Sequence, residues 1–127
     1  MTQSLEDYLE MVGFLDDEGP VRVTDIAARL GVSKPSVLSA LRTLEGQGLL
    51  RHEPYRTVFL TDEGRRRATQ LRERHGMLAS FLRDVIGVSP DTAESDACKM
   101  EHHLSAETLE KMRAMVQTKL EENAPAA

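Results

Sequence analysis

Residues 23–48 read VTDIAARLGVSKPSVLSALRTLEGQG, and the order of residue types in that stretch decides the fold. Thr24 stands as a cap before Asp25-Ile26-Ala27-Ala28-Arg29-Leu30, a short helix stopped by Gly31. Ser33 then caps a second helix, with Lys34 and Pro35 in its first turn, where the missing proline amide costs little. Val37, Leu38, Leu41 and Leu44 recur at helical spacing until Gly46 and Gly48 end the run. Two short helices joined by a glycine-containing turn form a helix-turn-helix. Ser36, Ser39, Arg42 and Thr43 lie largely off the apolar stripe. Small hydroxyl side chains let a helix approach base edges closely, and an arginine has the reach for a phosphate. An ordinary helical hairpin shares this pattern, so the flanking sequence has to distinguish the two.

The segment that follows favours a DNA-binding lobe. Leu49-Leu50-Arg51-His52 and Thr57-Val58-Phe59-Leu60 are strand-like runs around Glu53-Pro54-Tyr55-Arg56. A small hairpin directly after a recognition helix is a wing, and Arg51, Tyr55 and Arg56 are placed to touch a sugar-phosphate backbone. Thr61 caps a long helix expected over residues 62–86, which carries Arg65-Arg66-Arg67, Arg72 and Arg74. Such a run is either a nucleic-acid face or a solvated face paired with local acids. On the amino-terminal side, Leu5, Leu9, Val12 and Leu15 predict a helix over residues 4–17, ended by Gly19-Pro20. On the carboxyl-terminal side, Gly87-Val88-Ser89-Pro90 breaks the chain, and helices are expected over residues 90–104 and after the Ser105 cap. Leu109, Met112, Val116 and Leu120 form the apolar stripe of the last one. The reading is therefore mainly α: a winged helix-turn-helix DNA-binding domain over residues 1–72, then a helical dimerisation and metal-binding domain over residues 73–127. Apolar surface that one small lobe leaves uncovered is naturally covered in a symmetric homodimer, with two recognition helices in successive major grooves. Packing back onto the first helix as a monomer is the alternative.

Composition supports a folded chain and restricts its class. Of 127 residues, 40% are hydrophobic and 29% charged, which argues against wholesale disorder. No apolar run approaches the roughly 20 residues that span a bilayer, so no membrane association is expected. The acidic start MTQSLEDYLE lacks the basic end and apolar stretch of a signal peptide. The lone Cys98 has no internal partner for a disulfide, and a cytoplasmic location is expected. The net charge of −5 is unevenly placed. Residues 1–18 hold six acids and no base, residues 19–75 hold eleven Lys/Arg against six Asp/Glu, and residues 76–127 hold five against nine. A basic middle suits a polyanion and acidic flanks suit cations.

The carboxyl-terminal flank contains a cation-binding pattern. Glu94, Cys98, Glu101 and His102 stand at i, i+4, i+7 and i+8 and share one helix face. Carboxylate, thiolate and imidazole together are a ligand set for first-row divalent metals. The competing reading is a solvated acidic face with an incidental buried cysteine. His75, and Asp7 with Glu10, are further candidates from distant sequence that only the fold can bring to such a site.

The segments SLEDYLE (4–10), VTDIAARLGVSKPSV (23–37), YRTVFLTDEG (55–64), RERHGMLASFL (72–82) and SDACKMEHHLS (95–105) resemble the metal-dependent repressors of the diphtheria-toxin-repressor family. The resemblance runs over residues 4–118 and is closer to the short manganese transport regulators. It implies a homodimeric repressor that binds double-stranded operator DNA when loaded with a divalent metal, controls metal-uptake genes, and is neither an enzyme nor dependent on an organic cofactor. It also implies a ligand set of Asp7, Glu10, His75, Cys98, Glu101 and His102. Five of the six match the manganese branch. Cys98 stands where that branch usually has glutamate and matches the iron branch, which has cysteine three residues before Glu-His. The iron branch has methionine where this chain has Asp7, and usually a third, SH3-like domain, for which no residues remain. At the iron branch's ancillary site His75 matches, Glu94 stands where a histidine is usual, and Ala79 replaces a glutamate. The implied primary site is hybrid. Its oxygen donors suit Mn²⁺, while a thiolate raises affinity for Fe²⁺, Co²⁺ and Zn²⁺. The expectation leans to Fe²⁺ or mixed Fe²⁺/Mn²⁺ sensing. DNA contacts are expected from Ser33, Lys34, Pro35, Ser36, Ser39, Arg42, Arg51, Tyr55 and Arg56. The alternatives are a winged-helix regulator that senses oxidant through Cys98 or binds an organic ligand, a metal enzyme, and a protein-interaction module.

Overall fold

The computed structural model describes residues 3–53 and 57–124. The chain divides into two compact units, Met1–Leu71 and Arg72–Ala127, with the boundary inside one helix. The elements in order are α1 (Gln3–Glu18), α2 (Val23–Leu30), α3 (Lys34–Gly46), β1 (Leu50–His52), β2 (Val58–Leu60), α4 (Asp62–Ser80), a π-helical segment (Phe81–Ile86), α5 (Pro90–Met100) and α6 (Ala106–Glu122).

In the first unit α1 packs on α2, α3 and β2. Leu9, Val12, Ile26, Val37, Leu41, Leu44, Leu50 and Val58 are fully buried together, as their spacing requires. Gly31 adopts the left-handed conformation (φ +67°), and the amide of Val32 returns to the Ala27 carbonyl at 3.1 Å, which ends α2 and turns the chain. Ser33 Oγ accepts from the Ser36 amide and starts α3, with Pro35 in the first turn. The N-cap of α2 is Arg22 rather than Thr24: the amides of Asp25 and Ile26 both bond the Arg22 carbonyl, with no side-chain cap. The reason is the preceding residue. Val21 is held extended by a bridge to Val58, whose amide donates to the Val21 carbonyl at 2.8 Å, so the helix begins directly after it.

The wing is an antiparallel pair with Leu50 opposite Leu60, Arg51 opposite Phe59 and His52 opposite Val58. Each strand is one residue shorter than the apolar run suggests. Leu50 and Val58 point into the core while Arg51 and Phe59 face outward. Thr61 ties the wing to α4: its hydroxyl donates to the Gly48 carbonyl at 2.6 Å and accepts from the Gly64 amide at 3.1 Å.

In the second unit α5 and α6 pack on the π-helical segment. Met77, Leu78, Ala79, Leu82, Ala93, Ala97 and Val116 form its core. The helix expected to Ile86 does run that far, but its last six residues are π-helical. The Gly87 amide reaches back five residues to the Leu82 carbonyl at 2.9 Å, with Gly87 left-handed. Ser89 and Ser105 cap α5 and α6, accepting from the Thr92 and Thr108 amides. α5 ends at Met100 rather than near Leu104, because the His103 amide closes a tight turn on the Met100 carbonyl ahead of the Ser105 cap. Ile86, Met115 and Leu120 stay exposed. Among the described residues, no helix is long and apolar enough to cross a membrane.

Candidate metal centre and DNA-reading face

The second unit brings four of the expected residues together. Glu101 caps the end of α5, and its side chain is fully buried. Neither carboxylate oxygen has a hydrogen-bond partner among the described residues. His75 Nδ1, from α4, lies 3.4 Å from Oε2, and His102 Nε2, in the turn after α5, lies 3.2 Å from Oε1. These are ion-pair distances without hydrogen-bond alignment. The other nitrogen of His75, Nε2, is 2.6 Å from Glu94 Oε1 on α5. The Glu101 carboxylate, and secondarily that of Glu94, hold the His75 imidazole well above its ordinary range, at about 9, against the opposing effect of burial.

This arrangement fits a divalent cation. A buried carboxylate without donors is costly unless a positive charge compensates it. In the metal-free protein a protonated His75 supplies part of that charge. A cation held by Glu101 together with the imidazole of His75 or of His102 supplies it through oxygen and nitrogen donors, which first-row divalent metals accept.

Cys98 is exposed on α5, which overturns the reading of it as an incidental buried cysteine. Ala93 and Ala97 face the core instead, and Cys98 lies one position beyond them. Glu94 is exposed, and its contact with His75 is a role that spacing could not reveal, since the two are 19 residues apart on different helices. His103 is exposed. Asp7 and Glu10 belong to the first unit, half-buried on α1 and three residues apart.

The residues expected to contact DNA belong to the first unit. Ser33, Lys34, Pro35, Ser36, Ser39 and Arg42 are all exposed along α3, as is Arg51 on the wing. The Ser33 hydroxyl also donates to that of Ser36 at 2.9 Å, so both take part in starting the helix. Thr43 donates to the Ser39 carbonyl at 3.3 Å. Phe59, opposite Arg51, is 57% exposed and extends the outer wing surface, a position the strand alternation marks but basic character does not. Tyr55 and Arg56 lie outside the described residues. Of the arginine run, Arg65 pairs with Asp16 at 2.9 Å and Arg66 with Glu63 at 2.8 Å, so both are engaged with acids.

Two family models match the chain. The family described as "Iron dependent repressor, N-terminal DNA binding domain" matches residues 1–58, and "Iron dependent repressor, metal binding and dimerisation domain" matches residues 61–122. The Transcriptional regulator MntR of Escherichia coli is 47% identical over 114 residues, covering 89% of this chain and 73% of the relative. An uncharacterized HTH-type transcriptional regulator of Methanocaldococcus jannaschii is 33% identical over 119 residues, covering 92% and 95%. Among solved structures, a manganese-dependent transcriptional repressor in complex with manganese superposes with a TM-score of 0.79 at 31% identity, covering 89% of this chain. The chain spans about half the length of that structure, 52%. Matched in both domains and at this level of identity, the chain belongs to the iron-dependent repressor family of metal-dependent, DNA-binding transcriptional regulators.

Proposed function

We propose that this chain is a metal-responsive repressor that binds double-stranded operator DNA as a homodimer when loaded with a divalent metal, and that it acts in the cytoplasm on metal-uptake genes. The observation that carries the reading is Glu101, a fully buried carboxylate without a hydrogen-bond partner among the described residues, set between two imidazoles. Manganese comes first among the metals. The oxygen donors Asp7, Glu10 and Glu101 suit Mn²⁺, and a solved relative at 31% identity is a manganese-dependent repressor. Fe²⁺ is the second choice, for which the Cys98 thiol is the argument, with Co²⁺ and Zn²⁺ as substitutes in vitro.

The proposed ligands are Asp7, Glu10, His75, Cys98, Glu101 and His102, with Glu94 beside them. When bound, the metal supplies positive charge that lets these carboxylates share one site. Asp7 and Glu10 contribute from α1, and α1 packs directly on α3. A restraint on α1 is therefore a restraint on the helix that bears Ser36, Ser39 and Arg42. By linkage, whatever metal does to DNA affinity, DNA does equally to metal affinity. Ser33, Lys34, Pro35, Ser36, Ser39, Arg42, Arg51, Tyr55 and Arg56 are the proposed DNA contacts, with the hydroxyls near base edges and the cations on phosphates.

The test is an anaerobic DNA-binding titration with Mn²⁺, Fe²⁺, Co²⁺ and Zn²⁺ on promoter DNA, with bound metal counted. Metal should raise DNA affinity at least about tenfold, in the range of ordinary coupling energies. Asp7→Ala and Glu101→Ala should each remove the metal response while leaving helical content intact. Equal DNA affinity in metal and in chelator would sink the reading. The exposure of Cys98 favours one second reading, a thiol-based oxidant sensor. DNA binding that ignores chelator but is lost with peroxide would support it.

A further inference from the structure

His75 presents its two ring nitrogens to two unlike carboxylates. Nε2 is 2.6 Å from Glu94 Oε1, whose side chain is 68% exposed, whereas Nδ1 faces Glu101, whose side chain is fully buried. Nδ1 is itself buried and has no hydrogen-bond partner among the described residues. We propose that Glu94 is a positioning residue: it accepts the Nε2 proton of His75 and thereby turns the Nδ1 lone pair toward Glu101, where the cation is held. This inference rests on the metal-responsive reading above.

The argument is one of proton inventory. A neutral imidazole has one nitrogen that donates and one that accepts, and the partner of each decides which is which. An ionised carboxylate only accepts, so a short contact to Glu94 requires the proton on Nε2. Once the imidazolium gives up its other proton to let a metal in, Nδ1 is the only nitrogen with a lone pair to give. Metal-bound histidines usually donate their other N–H to such an outer partner, which fixes the ring and raises its basicity.

The backbone holds both partners in place. Glu94 lies in the first turns of α5, whose start is set by the Ser89 cap and Pro90 and whose inner face is fixed by buried Ala93 and Ala97. His75 precedes Met77 and Leu78 of the same core. Its ring thus lies between Glu94 at Nε2 and Glu101 at Nδ1.

The experiment compares wild type, Glu94→Ala and Glu94→Gln. It measures Mn²⁺ affinity by competition with a fluorescent chelator, metal per subunit by elemental analysis, and two-bond ¹H–¹⁵N spectra of the histidines in Zn²⁺-loaded protein. Glu94→Ala should weaken Mn²⁺ binding about 10–100-fold, the usual cost of losing such a partner. Glu94→Gln should recover most of the affinity, because its amide oxygen still accepts the Nε2 proton. Metal per subunit should stay at the wild-type value, and the spectra should show His75 bound through Nδ1. Unchanged affinity in Glu94→Ala would overturn the proposal, as would binding through Nε2. A lower metal count would make Glu94 a ligand, which also overturns it. If wild type binds neither Mn²⁺ nor Zn²⁺, the functional reading itself fails. Because Glu94 is exposed, the variants should fold, and circular dichroism checks this.

Discussion

Gly64, in the first turn of α4, sits so close to the carbonyl of Leu49 that a Cβ at position 64 would overlap the Leu49 oxygen and press on its carbon. That contact seats the long helix against the entry to the wing. Two effects oppose each other in Gly64→Ala. Helix propensity favours alanine by about 1 kcal/mol. Overpacking against backbone, which has no flexible end to yield, costs about 1–3 kcal/mol or more. The clash should win, lowering the midpoint of thermal unfolding by several degrees. In the same helix a Cβ at Gly76 would meet nothing within 4 Å among the described residues, so Gly76→Ala should raise it. A Gly64→Ala protein as stable as wild type would mean the close approach is not present in solution.

Ser33 and Ser105 are equivalent caps with different surroundings. Each accepts from the amide three residues on, at 3.3 and 3.2 Å, and each donates to the hydroxyl there. Replacing either by alanine should cost about 1 kcal/mol of stability in denaturant unfolding. Only Ser33→Ala should also weaken operator binding, since it lies at the start of the exposed face of α3. If both variants lose DNA affinity in proportion to stability, Ser33 is a cap and nothing more.

The punctuation of the first unit was legible because each signal was local. Gly31, Ser33-Lys34-Pro35 and the Val37, Leu41, Leu44 spacing act within one or two turns, and the core forms where they point. Thr24 misled because a long-range bridge from Val21 to Val58 set the helix start, and a cap motif carries no trace of that. The end of α5 was illegible for a similar reason: Glu101-His102-His103 contains no breaker, and the turn is closed by backbone bonds. At the metal centre, the Glu101-His102 pair was readable as a motif. The contact of His75 with Glu94 joins residues of two helices, so spacing carries no trace of it, and only the resemblance to the iron branch's ancillary site set the two side by side.

The metal-free protein should lose stability as pH rises through the neutral range. His75 is raised from 6.5 to about 9 by Glu101 and Glu94, so the folded state holds its proton more tightly than the unfolded chain does. The stabilisation is fully present below about pH 6.5 and fades as pH climbs through about 9. Between these limits the slope contributed by one such group is at most about 1.4 kcal/mol per pH unit. Urea unfolding in excess chelator at several pH values should show this decline in wild type and a shallower one in His75→Gln. Parallel pH profiles for the two proteins would show that His75 is not held in this way.

Arg42 separates phosphate contact from base reading. It is exposed on α3, on the same helix as Ser36 and Ser39. A cation that neutralises one phosphate contributes about 0.9 to the slope of log affinity against log salt, whatever the base sequence. Arg42→Ala should therefore weaken binding to specific and scrambled DNA by a similar factor and flatten the salt slope by about one. Ser36→Ala and Ser39→Ala should leave that slope alone and change the preference between operator and scrambled DNA. Fluorescence anisotropy between about 50 and 200 mM salt resolves the two behaviours. Should Arg42→Ala relax sequence preference at an unchanged salt slope, the assignments on α3 must be exchanged, with arginine at a base edge and the hydroxyls on the backbone.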